Sequence, residues 1–268
     1  MPKVKTLWRL VQTLSREPRR IMRVLDMESD YQGRVLAKYG LRTGLPTIEW
    51  MDLFPDFEET VEPYSFLDGG SLPTDLALLK GLARKKQART YFEIGTWRGE
   101  SVSNVASIAE QCISVSLSDE EMRRSGLSEQ FIKVHGFFSS KVSNVNHVRG
   151  NPRSLDYSSY AGRCDLVFID ADHTYDSVRV DTWNAFPLLR NEQSIIVWHD
   201  YGFSPETVRW SVLAGILDGS PKEALGHLYH VSNTKCAVYI RDHVNTRPVE
   251  YPAIPNKAFS VRLTAMKV

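Results

Sequence analysis

From about residue 72 the hydrophobic positions change to a pattern of alternating helices and strands. Leucines recur at helical intervals from Leu72 to Leu82, and Ser71 and Pro73 are predicted as the cap and first turn of that helix. Short apolar runs then alternate with helical patterns as far as residue 241. Alternation of this kind predicts a parallel sheet with helices on both faces.

The strands of this sheet are predicted from seven short runs. In chain order the runs are 90–95, 112–117, 145–150, 165–171, 194–200, 228–231 and 236–241. Val167–Ile169 and Ile195–Val197 are apolar throughout, which fits strands that are buried on both faces. Because the last two runs follow each other closely, they predict an antiparallel pair at one edge of the sheet.

Residues 1–70 form a different part of the chain, predicted as an extension of the domain at 71–268. Its first 40 residues read as short helices broken near Pro18 and Gly33, and the rest as an irregular, aromatic-rich segment packed on the domain. The basic, partly apolar N-terminus fits a helix on this domain or on a second subunit, and also a helix on a membrane surface. We expect the extension to act as a lid or a dimer contact.

Composition narrows the class of protein. Charges nearly balance, with 33 basic and 32 acidic side chains among 268 residues, which argues against a general nucleic-acid binder. No apolar run approaches the roughly 20 residues that a membrane-spanning helix needs. The three cysteines are widely spaced and lie in or beside apolar runs, as expected of reduced core thiols. We therefore predict a cytoplasmic protein with a small-molecule partner.

A glycine turn follows the first predicted strand of the sheet. Glu93, Gly95 and Gly99 stand at the end of that strand and the start of a helix, with Thr96 and Trp97 inside the turn. Glycine allows close backbone approach, and a helix N-terminus offers free N–H groups, so the turn suits a nucleotide-like ligand. The spacing is neither that of a dinucleotide fold nor that of a phosphate-binding P-loop.

This E-x-G-x-x-x-G turn, together with residues 168–202, resembles the Methyltransf_24 type of class I methyltransferase that uses S-adenosylmethionine (SAM). The matching positions in the second segment are Asp170, Asp172, His173, Tyr175, Asp181, Pro187, Leu188, Leu189, His199, Asp200 and Tyr201. The resemblance covers residues 72 to about 241. It implies an α/β, Rossmann-like fold with a central, mostly parallel, seven-stranded sheet, and SAM as the cofactor.

The resemblance also implies which residues bind the methionine part of SAM. Glu93, Gly95 and Gly99 would line it, and the hydroxyl of Ser101 could contribute. Asp170 would lie at the cofactor-facing end of its strand. Inside the turn, Thr96 and Trp97 would also meet the cofactor, and the Trp97 ring could shield its methionine end.

The ribose and adenine positions depart from the family pattern. The second strand usually ends in an acid that takes the ribose hydroxyls, whereas Ser116 stands there, and Asp119 or Glu120 could substitute. Asn151 stands where the family commonly has an acid, and could still bond an adenine edge.

Acids and histidines follow two neighbouring strands. Asp170, Asp172 and His173 come after one strand, and His199 and Asp200 end the next, so they can converge on one rim. Asp170, His199 and Asp200 could hold a divalent metal such as Mg²⁺ or Mn²⁺. Without a metal, His173 or His199 could act as the general base, with Asp170 beside it. Asp172 could instead cap the next helix.

The leading hypothesis is methylation of an oxygen on a small molecule or sugar, by a protein that could be a homodimer. Two alternatives stay open. His173, His199 and Asp200 could imitate the two-histidine, one-carboxylate iron site of the cephalosporin-hydroxylase type. Ser116 and Asn151 could instead mark a degenerate SAM fold that serves as a binding or scaffold protein.

Overall fold

The structure is a computed structural model that describes residues 28–248 and 250–267. The predicted helix break near Pro18 and the basic, apolar N-terminus lie outside the described residues. The α-helices are α1 (Glu28–Tyr39), α2 (Trp50–Leu53), α3 (Pro73–Lys85), α4 (Glu100–Ala106), α5 (Asp119–Arg124), α6 (Glu129–Val134), α7 (Tyr175–Ala185) and α8 (Trp210–Gly219). Short 3-10 helices span Ser158–Tyr160, Phe186–Leu188 and Lys222–His227.

The strands form one large sheet and a small hairpin. They are β1 (Thr47–Ile48), β2 (Thr90–Ile94), β3 (Gln111–Ser116), β4 (Val145–Arg149), β5 (Leu166–Ile169), β6 (Ile195–Trp198), β7 (Gly202–Ser204), β8 (Thr207–Val208), β9 (Leu228–Val231), β10 (Ala237–Tyr239) and β11 (Thr246–Arg247). The large sheet has the order β11-β1-β9-β10-β6-β5-β2-β3-β4, and β7 pairs with β8.

The sheet confirms the predicted α/β class and corrects the strand count. Strands β2 to β6 pair in parallel, and β10 runs antiparallel to β6 and β9. The predicted antiparallel pair of the last two runs is present as β9 and β10, but it does not form the edge of the sheet. The expectation of seven strands was wrong, because β1 and β11 extend the sheet beyond β9 to nine. Each of these added strands has only two residues, too few to show an alternating pattern.

Two apolar clusters cover the two faces of the sheet. On one face, Phe92 and Ile94 of β2 pack in a cluster with residues of α7 and α8, such as Val178 and Leu213. On the other face, side chains such as Tyr91 pack with residues of α3 and α4. Adjacent strand residues point to opposite faces, so runs that are apolar throughout supply both clusters. The cysteines are free and buried, as predicted: Cys112, Cys164 and Cys236.

Residues 28–70 are built into the domain. Helix α1 packs against α8, where the Tyr39 hydroxyl donates to Asp218 at 2.6 Å, and β1 pairs with β9. The predicted break at Gly33 is wrong, since this glycine lies inside α1. Among the described residues, no helix is both long and apolar enough to cross a bilayer.

Three local predictions need correction. Leu72 rather than Ser71 stands at the N-cap of α3, and the carboxylate of Asp75 accepts from the Leu72 N–H. The sequence pattern predicts a helix near 205–217, but α8 begins only at Trp210, because the β7–β8 hairpin occupies the preceding residues. The helical pattern around Trp183 predicts a core position for this tryptophan, but it lies on the outer side of α7 and is 69% exposed.

Candidate functional site

The glycine turn between β2 and α4 has the strained backbone that only glycine adopts easily. Gly95 and Gly99 have φ of +97° and +81°. A Cβ on Gly95 would overlap the backbone of Asp170, and one on Gly99 would overlap the Ser139 side chain. Both positions therefore require glycine, because neighbouring parts of the chain pack directly against them. These two contacts hold the turn in place.

Glu93 lies under this turn, fully buried at the end of β2. Its carboxylate accepts from the Tyr91 hydroxyl at 2.8 Å and the Ser101 hydroxyl at 2.6 Å, with Thr96 and Ser114 as more distant hydroxyl partners. Burial raises the pKa of Glu93 to about 7, although the Ser101 and Tyr91 hydrogen bonds oppose that rise. The Ser101 hydroxyl is thus committed to Glu93, and the carboxylate supports the turn from below.

The upper side of the turn carries groups that could meet a ligand. Within the described part of the chain, the backbone N–H groups of Thr96, Trp97 and Arg98 make no hydrogen bond. The Trp97 ring lies 4.0 Å from the Phe131 ring, centroid to centroid, and its buried Nε1 has no partner. Free N–H groups beside a helix N-terminus suit a carboxylate or another anionic group.

Residues 62–68 pass beside the turn and are fastened to it. The Ser65 N–H donates to Glu100 at 2.6 Å, and the Glu62 N–H donates to Asn104 at 2.8 Å. The Arg98 guanidinium reaches the Asp68 carbonyl oxygen at 2.9 Å. The irregular segment is packed on the domain, as predicted, and it borders the glycine turn.

The predicted convergence of acids and histidines is present at the ends of β5 and β6. His199 is buried between carboxylates, with Nδ1 3.0 Å from Asp170 and Nε2 3.0 Å from Asp75. Burial disfavours the charged ring, but Asp170, Asp200 and Asp75 outweigh it and hold the pKa of His199 well above its ordinary value. His199 is therefore a positively charged ring whose two nitrogens are both engaged.

Asp200 is the centre of the charged contacts. It has φ of +53°, a left-handed conformation that is uncommon outside glycine. Its carboxylate lies 3.0 Å from His173 Nε2, 3.1 Å from Lys235 Nζ and 3.8 Å from Arg209 Nη1. Burial opposes ionisation, but hydrogen bonds with His173 and His199 outweigh it and hold the pKa of Asp200 well below its ordinary value.

The group best arranged to hold a metal differs from the predicted one. Ligand atoms of Asp170, His173 and Asp200 all lie within 4.8 Å of one another. His199, the predicted third ligand, contacts two of these residues but also uses Nε2 on Asp75. This set has one histidine and two carboxylates, so it does not match the two-histidine, one-carboxylate pattern of the iron alternative.

Three members of the site were not predicted from the sequence, and Asp172, which was predicted near it, caps a helix. Asp75, Lys235 and Arg209 come from α3, from the turn between β9 and β10, and from the residue before α8. No motif marked them, and Asp75 resembles an ordinary acid in the first turn of a helix. Asp172 accepts from Thr174 and Ser177 at the start of α7, which is a capping arrangement.

The ribose and adenine positions carry no acid at the strand end. Ser116 is buried, and its hydroxyl accepts from the Arg149 guanidinium at 2.8 Å. Asp119 is exposed in the first turn of α5, and the exposed Asn151 accepts from the Arg153 N–H at 3.0 Å. All three residues lie at or just beyond the carboxyl ends of β3 and β4, as the predicted order of strands required.

The fold and the site together define a Rossmann-like α/β protein with a glycine turn and an acid and histidine cluster at the carboxyl edge of its sheet. Residues 92–201 match a family described as a methyltransferase domain. The predicted resemblance to the class I SAM-dependent methyltransferases is confirmed over this part of the chain. No curated protein matches the sequence.

Solved structures that resemble the chain include three whose sequences are each 17% identical to it. The match to an O-methyltransferase from Bacillus cereus in complex with SAH covers 65% of this chain and 84% of that one, with a TM-score of 0.45. The match to the SAH-bound Podospora anserina methyltransferase PaMTH1 covers 68% and 83%, with a TM-score of 0.43. The match to the YcgJ protein from Bacillus subtilis covers 47% and 49%, with a TM-score of 0.35, so the chain spans about half of that protein.

Proposed function

We propose that this protein is a SAM-dependent methyltransferase that methylates an oxygen of a small molecule or sugar. One observation carries the proposal. In a segment that matches a methyltransferase domain, the glycine turn after β2 meets the acid and histidine cluster at the ends of β5 and β6, through the contact of Gly95 with the Asp170 backbone. A methyl donor held at the turn would lie next to groups that can prepare an acceptor.

The residues above the turn fit the methionine end of SAM. The free N–H groups of residues 96–98 would bind its carboxylate, and the Trp97 ring would cover it. Glu93, Gly95, Gly99 and Ser101 shape the turn from below. SAM supplies an electrophilic methyl group when bound, and the protein's task is to exclude water and orient the acceptor.

The ribose end fits less well, because the usual acid is absent. Ser116, Asp119 and Asn151 would meet the ribose and adenine in this proposal, and only Asp119 carries negative charge. We expect the methionine end to supply most of the affinity for SAM.

His173 is better placed than His199 to serve as the general base. Its side chain is 34% exposed and Asp200 orients its Nε2 atom, whereas His199 is buried, charged and bonded at both nitrogens. A base must be able to take a proton at a reachable atom. His199 would instead hold Asp170 and Asp200 in position.

The same residues could act through a divalent metal. Asp170, His173 and Asp200 offer two carboxylates and an imidazole within 4.8 Å, a donor set that Mn²⁺ accepts and that suits Mg²⁺ less well. Such an ion would lower the pKa of an acceptor hydroxyl when bound. His173 then would be a ligand rather than a base, so metal dependence decides between the two roles.

Calorimetric titration with SAM and S-adenosylhomocysteine, with and without Mg²⁺ or Mn²⁺, tests the proposal. We expect micromolar binding that Trp97→Ala weakens at least tenfold. Trp183→Ala is the matched control, since this tryptophan is 69% exposed near the C-terminal end of α7. Gly95 is a poorer test position, because any side chain there overlaps the Asp170 backbone. Absence of binding under every condition would contradict the proposal and favour a scaffold role.

A metal role is tested by the paramagnetic signal of bound Mn²⁺. His173→Gln and Asp170→Asn should abolish Mn²⁺ binding, whereas Asp176→Asn, an exposed acid on α7, should leave it unchanged. Mn²⁺ that binds equally well to all three variants would show that the cluster is not its site.

A further inference from the structure

The part of the chain that follows β11 carries a concentration of exposed apolar side chains. These residues, named here the 250–267 segment, form no helix and no strand. The segment holds six of the thirteen exposed large hydrophobic residues of the described chain: Tyr251, Ile254, Phe259, Val261, Leu263 and Met266. Exposed apolar side chains that are gathered in this way mark an interaction surface.

The middle of the segment has the alternating pattern of a β-strand. Phe259, Val261 and Leu263 are apolar, and the polar residues Ser260 and Arg262 separate them. Alternation of this kind is typical of a strand that has one buried face. However, Val261 and Leu263 are 71% and 70% exposed. Within the described part of the chain, therefore, nothing covers the face that this pattern prepares.

The segment is attached to the rest of the molecule near its start. The Lys257 ammonium forms an ion pair with the Glu49 carboxylate. The Phe259 ring meets the Trp50 ring edge-on, with the ring centroids 5.5 Å apart. No hydrogen bond, ion pair or ring contact joins residues 260–267 to the other described residues. The last part of the segment is thus available to another molecule.

The Trp50 ring that Phe259 meets lies at the start of an acidic stretch. This acidic stretch, residues 49–62, contains six acids and no basic residue. Glu49 and Glu59 are paired with basic side chains. The other four acids are exposed and form no ion pair with a described residue: Asp52, Asp56, Glu58 and Glu62. The exposed Met51 gives the stretch an apolar contact as well as charge.

The 250–267 segment has the opposite charge at its far end. Lys257, Arg262 and Lys267 follow one another there without an acid between them. Complementary charge on two surfaces steers their association and fixes its register. Residues 1–27 carry seven basic and two acidic side chains, so their like charge disfavours them as a cover for the segment. The acidic stretch is a surface of this chain that suits the segment in both charge and apolar character.

We propose that the 250–267 segment of one copy docks on the acidic stretch of a second copy. Within one copy, contact between the two ends at Phe259, although both belong to the same chain. A second copy presents the same pair of surfaces, and a two-fold axis lets each copy give one segment and receive one. The eight residues after Phe259 reach up to about 27 Å when extended, which is enough to cross to a neighbour.

This exchange covers the apolar face of the segment and pairs its charges. Val261 and Leu263 would leave water, and Arg262 and Lys267 would meet exposed carboxylates. The proposal concerns assembly alone, so it holds whether or not the protein uses SAM.

Sedimentation equilibrium of the purified protein, between about 1 and 100 µM, tests the proposal. We expect a dimer whose Kd rises with salt, because exposed charges are screened. Val261→Asp combined with Leu263→Asp should weaken the dimer by about tenfold or more and leave the free energy of unfolding of the monomer unchanged, since both side chains are exposed in one copy. Trp183→Asp is the matched control, because this tryptophan is 69% exposed, and it should leave the Kd unchanged.

Charge reversal separates exchange between copies from docking within one copy. One variant carries Arg262→Glu and Lys267→Glu, and the other carries Asp52→Lys and Asp56→Lys. Each variant alone should be monomeric, because like charges then face each other, whereas their equimolar mixture should form a heterodimer in which every segment meets the opposite charge. Asp176→Lys changes an acid that is exposed on α7, and it should not restore a dimer when mixed with the first variant.

Three outcomes would overturn the proposal. The natural protein could remain a monomer, and binding of that monomer to vesicles that contain phosphatidylserine would then assign the segment to an anionic lipid surface. Trp183→Asp could dissociate a dimer that the segment variants leave intact. The mixture of charge-reversed variants could stay monomeric, which would place the docking within one copy. Failure to bind SAM in the separate titration would leave each of these results unchanged.

Discussion

Asp181 offers a test of how burial controls stability in this fold. It lies on α7, is 2% exposed, and its Oδ1 atom is buried without a hydrogen-bond partner. Burial raises the pKa of Asp181 from its ordinary 3.8 to about 7, while Arg153 opposes the rise and Asp172 adds to it. The folded protein therefore keeps a proton on this carboxyl that the unfolded chain has lost.

The direction of the pH effect follows from this difference in proton binding. Between about pH 4 and 7 the folded state binds more protons than the unfolded state, so the Asp181 contribution to the free energy of unfolding falls as pH rises. An interval of about three pH units at about 1.4 kcal/mol each corresponds to a loss of about 4 kcal/mol. Above pH 7 the contribution stays at its lower value.

Asp181→Asn removes the titrating group and keeps the shape of the side chain. We expect the variant and the natural protein to have similar unfolding free energies at pH 4, and the variant to be about 2–4 kcal/mol more stable at pH 8. Urea unfolding followed by circular dichroism at several pH values measures the difference. Asp176→Asn, whose side chain is 77% exposed on the same helix, is the control and should show no such trend. A difference for Asp181→Asn that is constant from pH 4 to pH 8 would refute the reasoning.

Three further predictions concern packing and thiol chemistry. Asp75→Ala should lower the unfolding free energy by about 3–5 kcal/mol in urea titrations, because it leaves the charged His199 and two backbone N–H donors without their buried partner. Gly219→Ala should lower it by about 1–3 kcal/mol, since its Cβ would lie 2.5 Å from the Arg179 carbonyl oxygen, whereas Gly226→Ala meets no atom within 4 Å and should not. A thiol reagent should react with the native protein only as fast as it unfolds, and an immediate signal would contradict the burial of Cys112, Cys164 and Cys236.

The sheet could be predicted because its strands are buried on both faces. Runs such as Val167–Ile169 and Ile195–Val197 have no polar interruption, and this marks them without knowledge of their neighbours. The two-residue strands β1 and β11 carry no such signal: β1 forms on the open edge of β9, and β11 forms on the edge of β1. Trp183 was misplaced for a related reason, since helical spacing does not say which of two faces will be covered.

The site could be predicted only as far as its residues follow consecutive strands. Asp170, His173, His199 and Asp200 meet because the ends of β5 and β6 are neighbours in a parallel sheet. Their charged partners Asp75, Arg209 and Lys235 come from distant parts of the chain. A local sequence pattern does not show which distant residues will meet in the fold. Without Asp75, which engages His199 Nε2, His199 looked as suitable a ligand or base as His173.

The two ends of the carboxyl edge of the sheet carry side chains of opposite charge. At the β5 and β6 end, Asp170 and Asp200 converge with His173 in a group that suits a cation. At the β3 and β4 end, the exposed Arg149 guanidinium is bonded to the neutral Ser116 hydroxyl and has no carboxylate within 4 Å among the described residues. The glycine turn lies between them, because its Gly95 contacts the Asp170 backbone and the carbonyl groups of Trp97 and Arg98 hold the turn that covers Arg149. A ligand that spans this edge is therefore expected to carry its positive charge toward Asp170 and any negative charge toward Arg149.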